Sequence, residues 1–452
     1  MACIDLSGKL VRPKISTLQC TRGIMFIGLL YEIGLTLLAL FSAPWFLYQW
    51  IFKRKYRKTL LRRFGVGFPI INKGARPVVW FHAVSLGETK AVAALVKMIK
   101  AEFNNPLIIF STTTETGHVE ACRTIKADYH VYLPFDFRWV INPIMKRVAP
   151  DLLILCESDF WYNLLNSAKK SGATVALVNG KISARSMERF TKIPFFTKAL
   201  FSHIDIFLVQ SNLYKQRFIQ LGIPPKKIEI TGNMKFDGDH AKLPQEQLQA
   251  WRKELDIKTS DPVLVIGSTH HPEEVQLLGV ISQVWQKIPN LKVVLVPRHP
   301  ERFNEVASLL QKNGIHFRRL SQKNGGDAKA SVILIDAMGL LRKCYQLADL
   351  AIVAGSYTAK IGGHNILEPS WYGVPVVFGP HMYAQPDLVE LANEYEAGVQ
   401  IGLESLQETL VNLLSNEELR KKLGDGGLRL AADVHGATRK TCDFIKNTSK
   451  IQ

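Results

Sequence analysis

The chain has 452 residues, more than one ordinary hydrophobic core supports, so we expect two globular domains. Hydrophobic residues make up 47% of it, a fraction too low for a protein with many membrane spans and high for a wholly soluble one. Its 57 Lys and Arg residues against 39 Asp and Glu give a net charge of +18, which favours an anionic partner such as nucleic acid, a membrane surface or an acidic substrate. The six cysteines are scattered without a C-x-x-C pair, so the sequence indicates neither a zinc site nor a disulfide framework and fits a reducing compartment.

An uncharged stretch of twenty residues, 33–52, lies near the N-terminus. This length can cross a hydrocarbon core of about 30 Å, and aromatic residues near its C-terminal end favour the headgroup level. Basic residues flank it on both sides: Lys9, Arg12, Lys14 and Arg22 before it, and, more densely, Lys53, Arg54, Lys55, Arg57, Lys58, Arg62 and Arg63 after it. The positive-inside rule therefore predicts a single-pass N-terminal anchor with the long C-terminal body in the cytoplasm.

Two other interpretations of this segment stay open. A cleaved signal peptide would have a shorter apolar region, of about 7–15 residues, followed by an A-x-A site, and here the apolar region is longer and no A-x-A site follows it before the basic cluster. A helix lying flat in the membrane surface is a stronger alternative, because Glu32 and Pro44 interrupt the apolar region.

Beyond residue 60, short apolar runs alternate with amphipathic stretches, a pattern that predicts βαβ units and parallel sheets. The first set of predicted strands is 77–82, 107–111, 152–156, 174–178, 206–209 and 227–230. Helical patterns between them include 89–103, 117–125 and 161–171. The second set of predicted strands is 263–267, 292–296, 316–320, 332–335, 350–353 and 375–378.

These elements predict an α/β protein with two doubly wound domains. We expect an anchor and basic flank at 1–58, a first domain at 59–236, a charged linker with one short helix at 237–261, and a second domain at 262–452 that includes the C-terminal helix. Because doubly wound sheets bind ligands at the carboxyl ends of their strands, the segments that follow the strands are the candidate sites.

The segment HAVSLGET at 82–89 follows the first predicted strand and opens a helix. Gly87 would permit a tight turn, and Glu88, at the start of the helix, could act as a general base that takes a proton from an acceptor hydroxyl. The same spacing of Ser85 and Glu88 is a capping box, S-x-x-E, which stabilises a helix and does no chemistry. Spacing alone does not separate the two interpretations.

Two further segments follow strands of the second domain. The Ser and Thr of GSTHH at 267–271 could cap the next helix or donate hydrogen bonds to a phosphate. Arg298 and His299, at the end of the strand 292–296, suit a phosphate or a carboxylate, although a solvated basic loop would look the same.

The segment GGHNILEP at 362–369 is the most specific of these patterns. Its two glycines permit close backbone approach, Asn365 would cap a helix, and Glu368, one turn on, could accept hydrogen bonds from a ribose diol. By contrast, Asp237-Gly238-Asp239 matches the D-x-D pattern of manganese-dependent transferases but lies in the predicted linker, so we assign it no metal.

Together these motifs resemble the family of Kdo transferases, which transfer 3-deoxy-D-manno-oct-2-ulosonic acid (Kdo) to a lipid A precursor. The matching segments are HAVSLGE at 82–88, ES-x-x-W at 157–161, TGNMKFD at 231–237, GSTH at 267–270, PRHPER at 297–302, DAMG at 336–339, GGHNILEP at 362–369 and FGPHM at 378–382. The resemblance implies a GT-B fold, with two Rossmann-like domains facing a cleft, and an inverting, metal-independent transfer from CMP-Kdo to the tetraacyl lipid A precursor. It implies no cofactor besides this donor substrate, anionic lipids of the bacterial inner membrane as partners, and no nucleic acid.

The resemblance also implies roles for individual residues. Glu88 matches the family's proton acceptor, and Glu157 and Lys235 match a pair that stabilises the transition state. The positions that match the CMP-binding residues are Arg298, His299, Met338, Gly339, Leu340, Asn365, Ile366, Leu367 and Glu368. The sequence departs from the family pattern with Asp159 for Glu, Tyr162 for Pro, Leu340 for Glu, Pro272 for Gly, and Gly180-Lys181 for Ala-Arg.

Two other functions stay compatible with the sequence. One is another membrane-associated lipid glycosyltransferase of the GT-B fold, for example one that uses UDP-GlcNAc. The other is a non-enzymatic basic scaffold that only binds anionic lipid, which would leave Glu88 and Glu368 unexplained.

Overall fold

The computed structural model describes residues 3–4, 10–11, 15–53, 57, 59–238, 240–322 and 330–449, with side chains from Phe26 on. The chain divides into two compact units. Unit 1 comprises the chain up to Asp237 together with the segment from Gly436 on, and unit 2 comprises Gly238–His435. Each unit contains a seven-stranded parallel sheet, which confirms the prediction of two doubly wound α/β domains.

Unit 1 is built on seven strands, preceded in the chain by a short antiparallel pair, β1 (Cys3–Ile4) and β2 (Leu10–Val11). The seven strands are β3 (Val78–Ala83), β4 (Leu107–Thr112), β5 (Tyr129–Tyr132), β6 (Leu152–Cys156), β7 (Thr174–Gly180), β8 (Ile206–Val209) and β9 (Ile228–Ile230). Their order across the sheet is β5-β4-β3-β6-β7-β8-β9, so the winding reverses between β3 and β6. Strands β3, β4, β6 and β8 are apolar runs that are buried throughout, as expected for parallel strands covered on both faces.

Helices connect these strands and cover the sheet. They are α1 (Ile15–Ile51), α2 (Leu60–Arg63), α3 (Leu86–Glu102), α4 (Glu115–Thr124), α5 (Arg138–Val148), α6 (Tyr162–Lys170), α7 (Ala184–Thr191), α8 (Pro194–Ser202) and α9 (Asn212–Gln220). Successive residues of β3 point to opposite faces: Trp80 packs in the cluster that contains α5 and α6, and Phe81 packs in the cluster that contains α3. The sheet therefore has a hydrophobic core on each side.

Unit 2 repeats this architecture. Its strands are β10 (Val263–Thr269), β11 (Lys292–Pro297), β12 (Phe317–Arg319), β13 (Val332–Leu334), β14 (Leu350–Val353), β15 (Val376–Phe378) and β16 (Gly398–Gln400), in the order β12-β13-β11-β10-β14-β15-β16. Its helices are α10 (Gln245–Glu254), α11 (Glu273–Val284), α12 (Phe303–Lys312), α13 (Leu341–Tyr345), α14 (Leu367–Ser370), α15 (Pro386–Glu394), α16 (Leu403–Ser415) and α17 (Glu417–Asp433). All twelve strands that the sequence predicts are present, with ends within two residues, and the sequence does not predict β5 and β16.

The segment predicted as a linker, 237–261, packs onto unit 2. It contains the one short helix expected there, α10, but Trp251 is only 3% exposed and Leu255 is fully buried. The Lys343 ammonium lies 3.8 Å from the centre of the Trp251 ring. Apolar side chains within a charged stretch thus make most of this segment part of the second domain.

The C-terminal helix α18 (Ala437–Thr448) belongs to unit 1, whereas the sequence analysis assigned it to the second domain. Cys442 and Ile445 are buried in the same core cluster as α3. The two carboxylate oxygens of Asp237 accept hydrogen bonds from the backbone N–H groups that open α18, those of Gly436, Ala437 and Thr438. Asp237 therefore acts as a helix cap, and Asp239, the other aspartate of the D-x-D pattern, lies outside the described residues.

Helix α1 runs unbroken through Glu32 and Pro44, which the sequence analysis took as interruptions. The Glu32 carboxylate accepts hydrogen bonds from the backbone N–H of Arg138 and from Nδ2 of Asn163, at 3.1 and 2.9 Å. The Tyr31 hydroxyl donates to Asp136 at 2.9 Å. Glu32 thus attaches α1 to unit 1, and its burial within an apolar stretch is compensated by these donors.

The part of α1 from Phe26 to Ile51 is long and apolar enough to cross a membrane. Arg57 closes its C-terminal end by donating to the carbonyl oxygens of Trp50 and Ile51. Most of the flanking basic cluster falls on positions outside the described residues: Lys9, Arg12, Lys14, Arg54, Lys55 and Lys58.

Candidate active site

The first group of predicted site residues lies at the carboxyl edge of the unit 1 sheet, where the winding reverses. Glu88 follows β3 and Glu157 follows β6, and these two strands are neighbours. In an open α/β sheet this position is the usual ligand-binding crevice. The fold thus brings together two carboxylates that are 69 positions apart in the sequence.

Glu88 forms the capping box that its spacing predicts. Ser85 precedes the first residue of α3, and its Oγ accepts a hydrogen bond from the Glu88 backbone N–H. The Glu88 carboxylate accepts from the Val84 backbone N–H at 2.8 Å and from the Ser85 hydroxyl at 3.0 Å. Burial raises the pKa of Glu88 above its ordinary value; these hydrogen bonds lower it and the nearby negative charge of Glu157 raises it. A raised pKa suits a general base, so the cap and the base are compatible roles.

Gly87 does not form the tight turn that the sequence analysis expected. It is the second residue of α3, its φ is not in the positive range, and an added Cβ would meet nothing closer than 3.9 Å. The expectation is wrong because the turn ends at Ser85, whose extended backbone already redirects the chain.

Glu157 is buried, at 4% exposure, and makes two ion pairs. Its carboxylate lies 2.5 Å from Nζ of Lys235 and 2.6 Å from Nζ of Lys181. Burial raises the pKa of Glu157, but the two lysines outweigh it and hold the pKa below the ordinary value. The carboxylate is therefore ionised, and the structure brings Glu157 and Lys235 together as a pair.

Lys181 and Asn179 belong to this cluster, although the sequence analysis noted Lys181 only as a departure from the family pattern. Nδ2 of Asn179 lies 3.3 Å from Glu157, and its Oδ1 accepts from the backbone N–H of Met234, next to Lys235. Asn179 and Glu157 both have positive φ, 52° and 64°, a conformation that is strained for residues other than glycine. In the sequence, the feature that could have identified Asn179 and Lys181 was their position at the end of β7, the strand beside β6.

A second polar group on this edge joins β3 to the loop after β6. His82 is 1% exposed, with Nε2 at 2.9 Å from the Asp159 carboxylate and Nδ1 at 2.9 Å from the Ser111 hydroxyl. Nε1 of Trp161 donates to the same Asp159 oxygen at 2.5 Å. Asp159, which the sequence singles out only as a departure from the family pattern, thus has His82 and Trp161 as hydrogen-bond partners.

In unit 2 the winding reverses between β10 and β14, and a buried carboxylate holds the loops that follow them. Glu273 accepts hydrogen bonds from the backbone N–H groups of His270, Gly355 and Tyr357, at 3.1, 2.8 and 2.9 Å. Glu273 is not predicted from the sequence, because nothing in its local pattern differs from an ordinary acidic residue in the first turn of a helix.

The GSTHH segment does not cap the next helix. Helix α11 begins at Glu273 after Pro272 and has no side-chain cap, and Ser268 and Thr269 are buried. Nε2 of His270 instead lies 2.8 Å from Nε2 of His364. Burial lowers the pKa of both histidines to about 4, so the two rings share a hydrogen bond as neutral groups.

Arg298 and His299 follow β11 directly and are exposed, which leaves them accessible to an anion. The His299 ring packs edge-on against His270, with centroids 5.2 Å apart. Because the neighbouring His270 and His364 are neutral at pH 7, Arg298 supplies fixed positive charge at this end of β11.

Glu368 lies in the first turn of α14, which has only four residues. Oδ1 of Asn365 accepts from the Leu367 backbone N–H at 3.0 Å, but the residue that directly precedes α14 is Ile366, so Asn365 lies one position before the cap that the sequence predicts. Burial raises the pKa of Glu368, and Arg342, whose Nε lies 3.9 Å away, lowers it. The side chains of Ile366 and Leu367 are buried in unit 2, so only their backbone could reach a ligand.

The turn Met338-Gly339-Leu340 joins β13 to α13. Gly339 has φ of 84°, which any other residue would adopt only under strain, and Met338 is 57% exposed. The turn thus presents backbone and one flexible apolar side chain at the carboxyl edge of the unit 2 sheet.

Comparisons with known proteins show the family to which this chain belongs. A family model described as "3-Deoxy-D-manno-octulosonic-acid transferase (kdotransferase)" matches residues 58–238. The chain is 36% identical over 422 residues to a 3-deoxy-D-manno-octulosonic acid transferase of Chlamydia muridarum, covering 92% of this chain and 96% of that one. It is 32% identical over 401 residues to a 3-deoxy-D-manno-octulosonic acid transferase of Haemophilus influenzae, covering 87% of this chain and 92% of that one.

A solved glycosyltransferase from Rickettsia africae has the same fold, with a TM-score of 0.58 at 17% identity over 83% of this chain and 99% of that one. The two parallel-sheet domains are accordingly of the GT-B type. The relatives support an enzyme that acts on Kdo, in place of the UDP-GlcNAc-dependent transferase or the non-enzymatic scaffold. On the strength of identity spread over nearly its whole length, this chain belongs to the Kdo transferase family and is a glycosyltransferase of lipopolysaccharide synthesis.

Proposed function

We propose that the enzyme transfers Kdo from CMP-Kdo to the tetraacyl lipid A precursor, with inversion at the anomeric carbon and without a metal ion. The observation that carries the proposal is the pair of carboxylates at the edge of unit 1, whose pKa values are shifted in opposite directions. Glu88 has a raised pKa and Glu157 a lowered one. Opposite shifts of this kind assign different roles to two neighbouring carboxylates.

In the proposed reaction, the Glu88 carboxylate takes the proton of an acceptor hydroxyl. The hydroxyl oxygen then forms a bond to the anomeric carbon of Kdo on the side opposite CMP. The bond from that carbon to the phosphate oxygen breaks, and CMP leaves with the electron pair. Glu157 stays ionised and holds Lys235 and Lys181, whose positive charges favour the negative charge that develops on the phosphate.

Unit 2 binds the donor in this proposal. Arg298 and His299 contact the phosphate of CMP, and Glu368 accepts hydrogen bonds from the ribose hydroxyls. The turn Met338-Gly339-Leu340 and the segment Asn365-Ile366-Leu367 contribute backbone groups. Glu273 and the His270–His364 pair hold the loops in place.

Metal independence rests on the chemistry of the leaving group and on the cations present. A nucleoside monophosphate carries little charge, and arginine and lysine side chains can stabilise it. Asp237 already binds three backbone N–H groups. In the part of the chain that the structure describes, no group of three or more His, Cys, Asp or Glu residues could hold a metal ion. Transfer should therefore proceed at an unchanged rate in excess EDTA, and a rate restored only by Mg²⁺ or Mn²⁺ would exclude this part of the proposal.

We place the enzyme on the cytoplasmic face of the inner membrane, with α1 lying flat in the membrane surface, which is the alternative to the single-pass anchor that the sequence predicts. Tyr31 and Glu32 attach the helix to unit 1, and loops of unit 1 line a cavity along the helix as far as Trp50. If α1 crossed the membrane, these loops would lie in the hydrocarbon core, where their backbone N–H and C=O groups would lack hydrogen-bond partners. A reporter enzyme fused ahead of Met1 and active only in the periplasm should stay inactive; activity would show that α1 spans the membrane.

The proposed reaction is tested by mass spectrometry of a lipid A precursor after incubation with the enzyme and CMP-Kdo. The acceptor mass should increase by one or more Kdo units, and the number of units follows from the same spectrum. No increase with CMP-Kdo, or an increase with another nucleotide sugar, would overturn the proposed donor.

A further inference from the structure

A cavity of about 600 Å³ lies between α1 and the body of unit 1. Its helix side includes Leu38, Ala43 and Phe46, and its domain side includes Phe64, Phe135 and Trp161. Leu38 is 63% exposed, so the cavity is accessible from outside the protein. It is about four times the size of the roughly 150 Å³ apolar cavity that holds a benzene molecule in an engineered protein, and it falls in the usual range of ligand pockets.

The lining is apolar apart from a few groups, and its two ionisable side chains have hydrogen-bond partners. Two lining residues are ionisable, Arg63 and Asp136. Arg63 donates to the carbonyl oxygen of Thr113. The Asp136 carboxylate accepts from the Tyr31 hydroxyl and from the backbone N–H of Asn163. An aliphatic chain therefore fits this lining, and a charged or strongly polar ligand does not.

The helix wall of the cavity is a fixed part of unit 1. An added Cβ on Gly28 would lie 2.9 Å from the Arg138 guanidinium, so the backbone of α1 packs directly on α5 and α6 at this point. Glu32 then binds Arg138 and Asn163, as described above. The apolar half of α1 that follows is held beside the domain, where it completes the cavity.

The cavity adjoins the proposed chemical site. Thr113 follows β4, Phe135 lies in the loop after β5, and Trp161 lies in the loop after β6. These are loops of the same carboxyl edge that holds Glu88. Trp161 also donates to Asp159, which contacts His82 of β3, so one side chain separates the cavity from the polar groups of the site.

We propose that this cavity binds an acyl chain of the acceptor lipid and so places the acceptor's sugar head group beside Glu88. The inference rests on the proposed function, because it takes the acceptor to be an acylated sugar. Continuity with the site through Trp161 favours the acceptor's own chain over a chain of a bulk phospholipid, which would need no connection to Glu88. Each buried methylene favours binding, so chain length should control affinity for the acceptor.

The test compares two variants of α1 in the full-length enzyme, assayed with acylated acceptor in detergent micelles. Ala43→Trp fills the cavity, whereas Leu40→Trp places the same side chain at a 64% exposed position that is not part of its lining. We expect Ala43→Trp to raise KM for the acylated acceptor at least tenfold, and Leu40→Trp to leave it within about twofold. With a deacylated acceptor sugar, both variants should match the wild type, and the KM for CMP-Kdo should not change.

A second measurement needs no variant. Shortening the acyl chains of the acceptor should raise KM in the wild type, and the effect of Ala43→Trp should shrink as the chains shorten, because the two changes remove the same contact. Equal behaviour of the two variants, or a KM independent of chain length, would overturn the acyl-chain site while leaving Kdo transfer intact. Equal losses in both variants would show that α1 serves only as a contact with bulk lipid. If the wild type transfers Kdo to no acylated acceptor, the proposed function itself fails.

Discussion

Glu157 at the carboxyl edge of the unit 1 sheet and Glu273 at that of the unit 2 sheet are both buried, and these two glutamates differ in their partners. Glu157 in unit 1 is paired with two lysines, and its pKa is below the ordinary value. Glu273 in unit 2 accepts three backbone N–H groups and has no ion pair among the described residues, and burial raises its pKa. Burial alone therefore does not set the direction of the pKa shift; the opposite charges within hydrogen-bond distance of Glu157 reverse it.

This difference separates the roles of the two edges. Unit 1 concentrates charge, with two lysines beside the positive-φ residues Glu157 and Asn179, whereas the described part of the unit 2 edge has the positive-φ residue Ser268 without such an ion pair. Unit 2 uses its buried glutamate to shape loops, keeps two histidines neutral, and leaves Arg298 exposed for a ligand. Variants of each edge should accordingly affect turnover in one case and donor binding in the other.

The largest effect is expected from Glu88→Gln. Glutamine keeps the capping box but cannot take a proton, so kcat should fall by about 10²–10⁴-fold with little change in melting temperature or donor binding. In the wild type, kcat should fall on the acid side with an apparent pKa above the ordinary value of 4.5 for glutamate, and the variant should lose this dependence. Ser85→Ala is the control, because it removes the cap and keeps the carboxylate. Normal turnover in Glu88→Gln would show that Glu88 serves only as part of the helix cap and is not the general base.

The lysine pair of unit 1 should show strong coupling. Lys181→Met and Lys235→Met each leave Glu157 one partner, but the double variant leaves a buried carboxylate uncompensated. We expect the double variant to lose about 1–3 kcal/mol more stability than the sum of the singles, measured by urea unfolding. Lys192→Met, which breaks the exposed pair with Glu188, should change stability by less than about 0.5 kcal/mol. Strict additivity would show that the lysines do not share Glu157.

In unit 2, Glu368→Ala should weaken CMP-Kdo binding at least tenfold. Two hydrogen bonds to a charged acceptor are worth about 1.5–3 kcal/mol each, and about 1.4 kcal/mol is one decade of affinity. A 2′,3′-dideoxy CMP ligand should bind the wild type weakly and lose little more in the variant. Glu396→Ala, at an exposed ion pair of the same unit, is the matched control in calorimetric titrations. Full additivity would place the ribose elsewhere.

The smallest effect concerns the neutral histidines of unit 2. Burial lowers the pKa of His270 and His364 to about 4, whereas the unfolded chain titrates near 6.5. Between these values the unfolded state binds more protons, so stability should fall as the pH drops from 6.5 towards 4. His364→Gln should flatten this dependence in thermal melts, and replacement of the exposed His435 by Gln should not. An unchanged slope in His364→Gln would mean that the pair is charged in the folded protein.

Most of both sheets follows from the sequence, because a parallel strand covered on both faces must be a run of apolar residues. Within the two seven-stranded sheets, the strands that the sequence does not predict are Tyr129–Tyr132 and Gly398–Gln400, which are short edge strands with mixed polarity. The motifs that carry the family resemblance lie at strand ends, where the alternation of strand and helix already places candidate ligands.

What the sequence by itself determined was the pair of doubly wound domains and the apolar N-terminal helix, and its resemblance to the family marked Glu88, Glu157 and Lys235 as candidates. The tertiary structure alone decided which distant residues meet: Lys181 with Glu157, Glu32 with Asn163, and the C-terminal helix with unit 1. The physical reason is that local patterns report the burial and period of one element. The partner of a buried charge, or the core that a helix covers, depends on contacts between residues far apart in the chain.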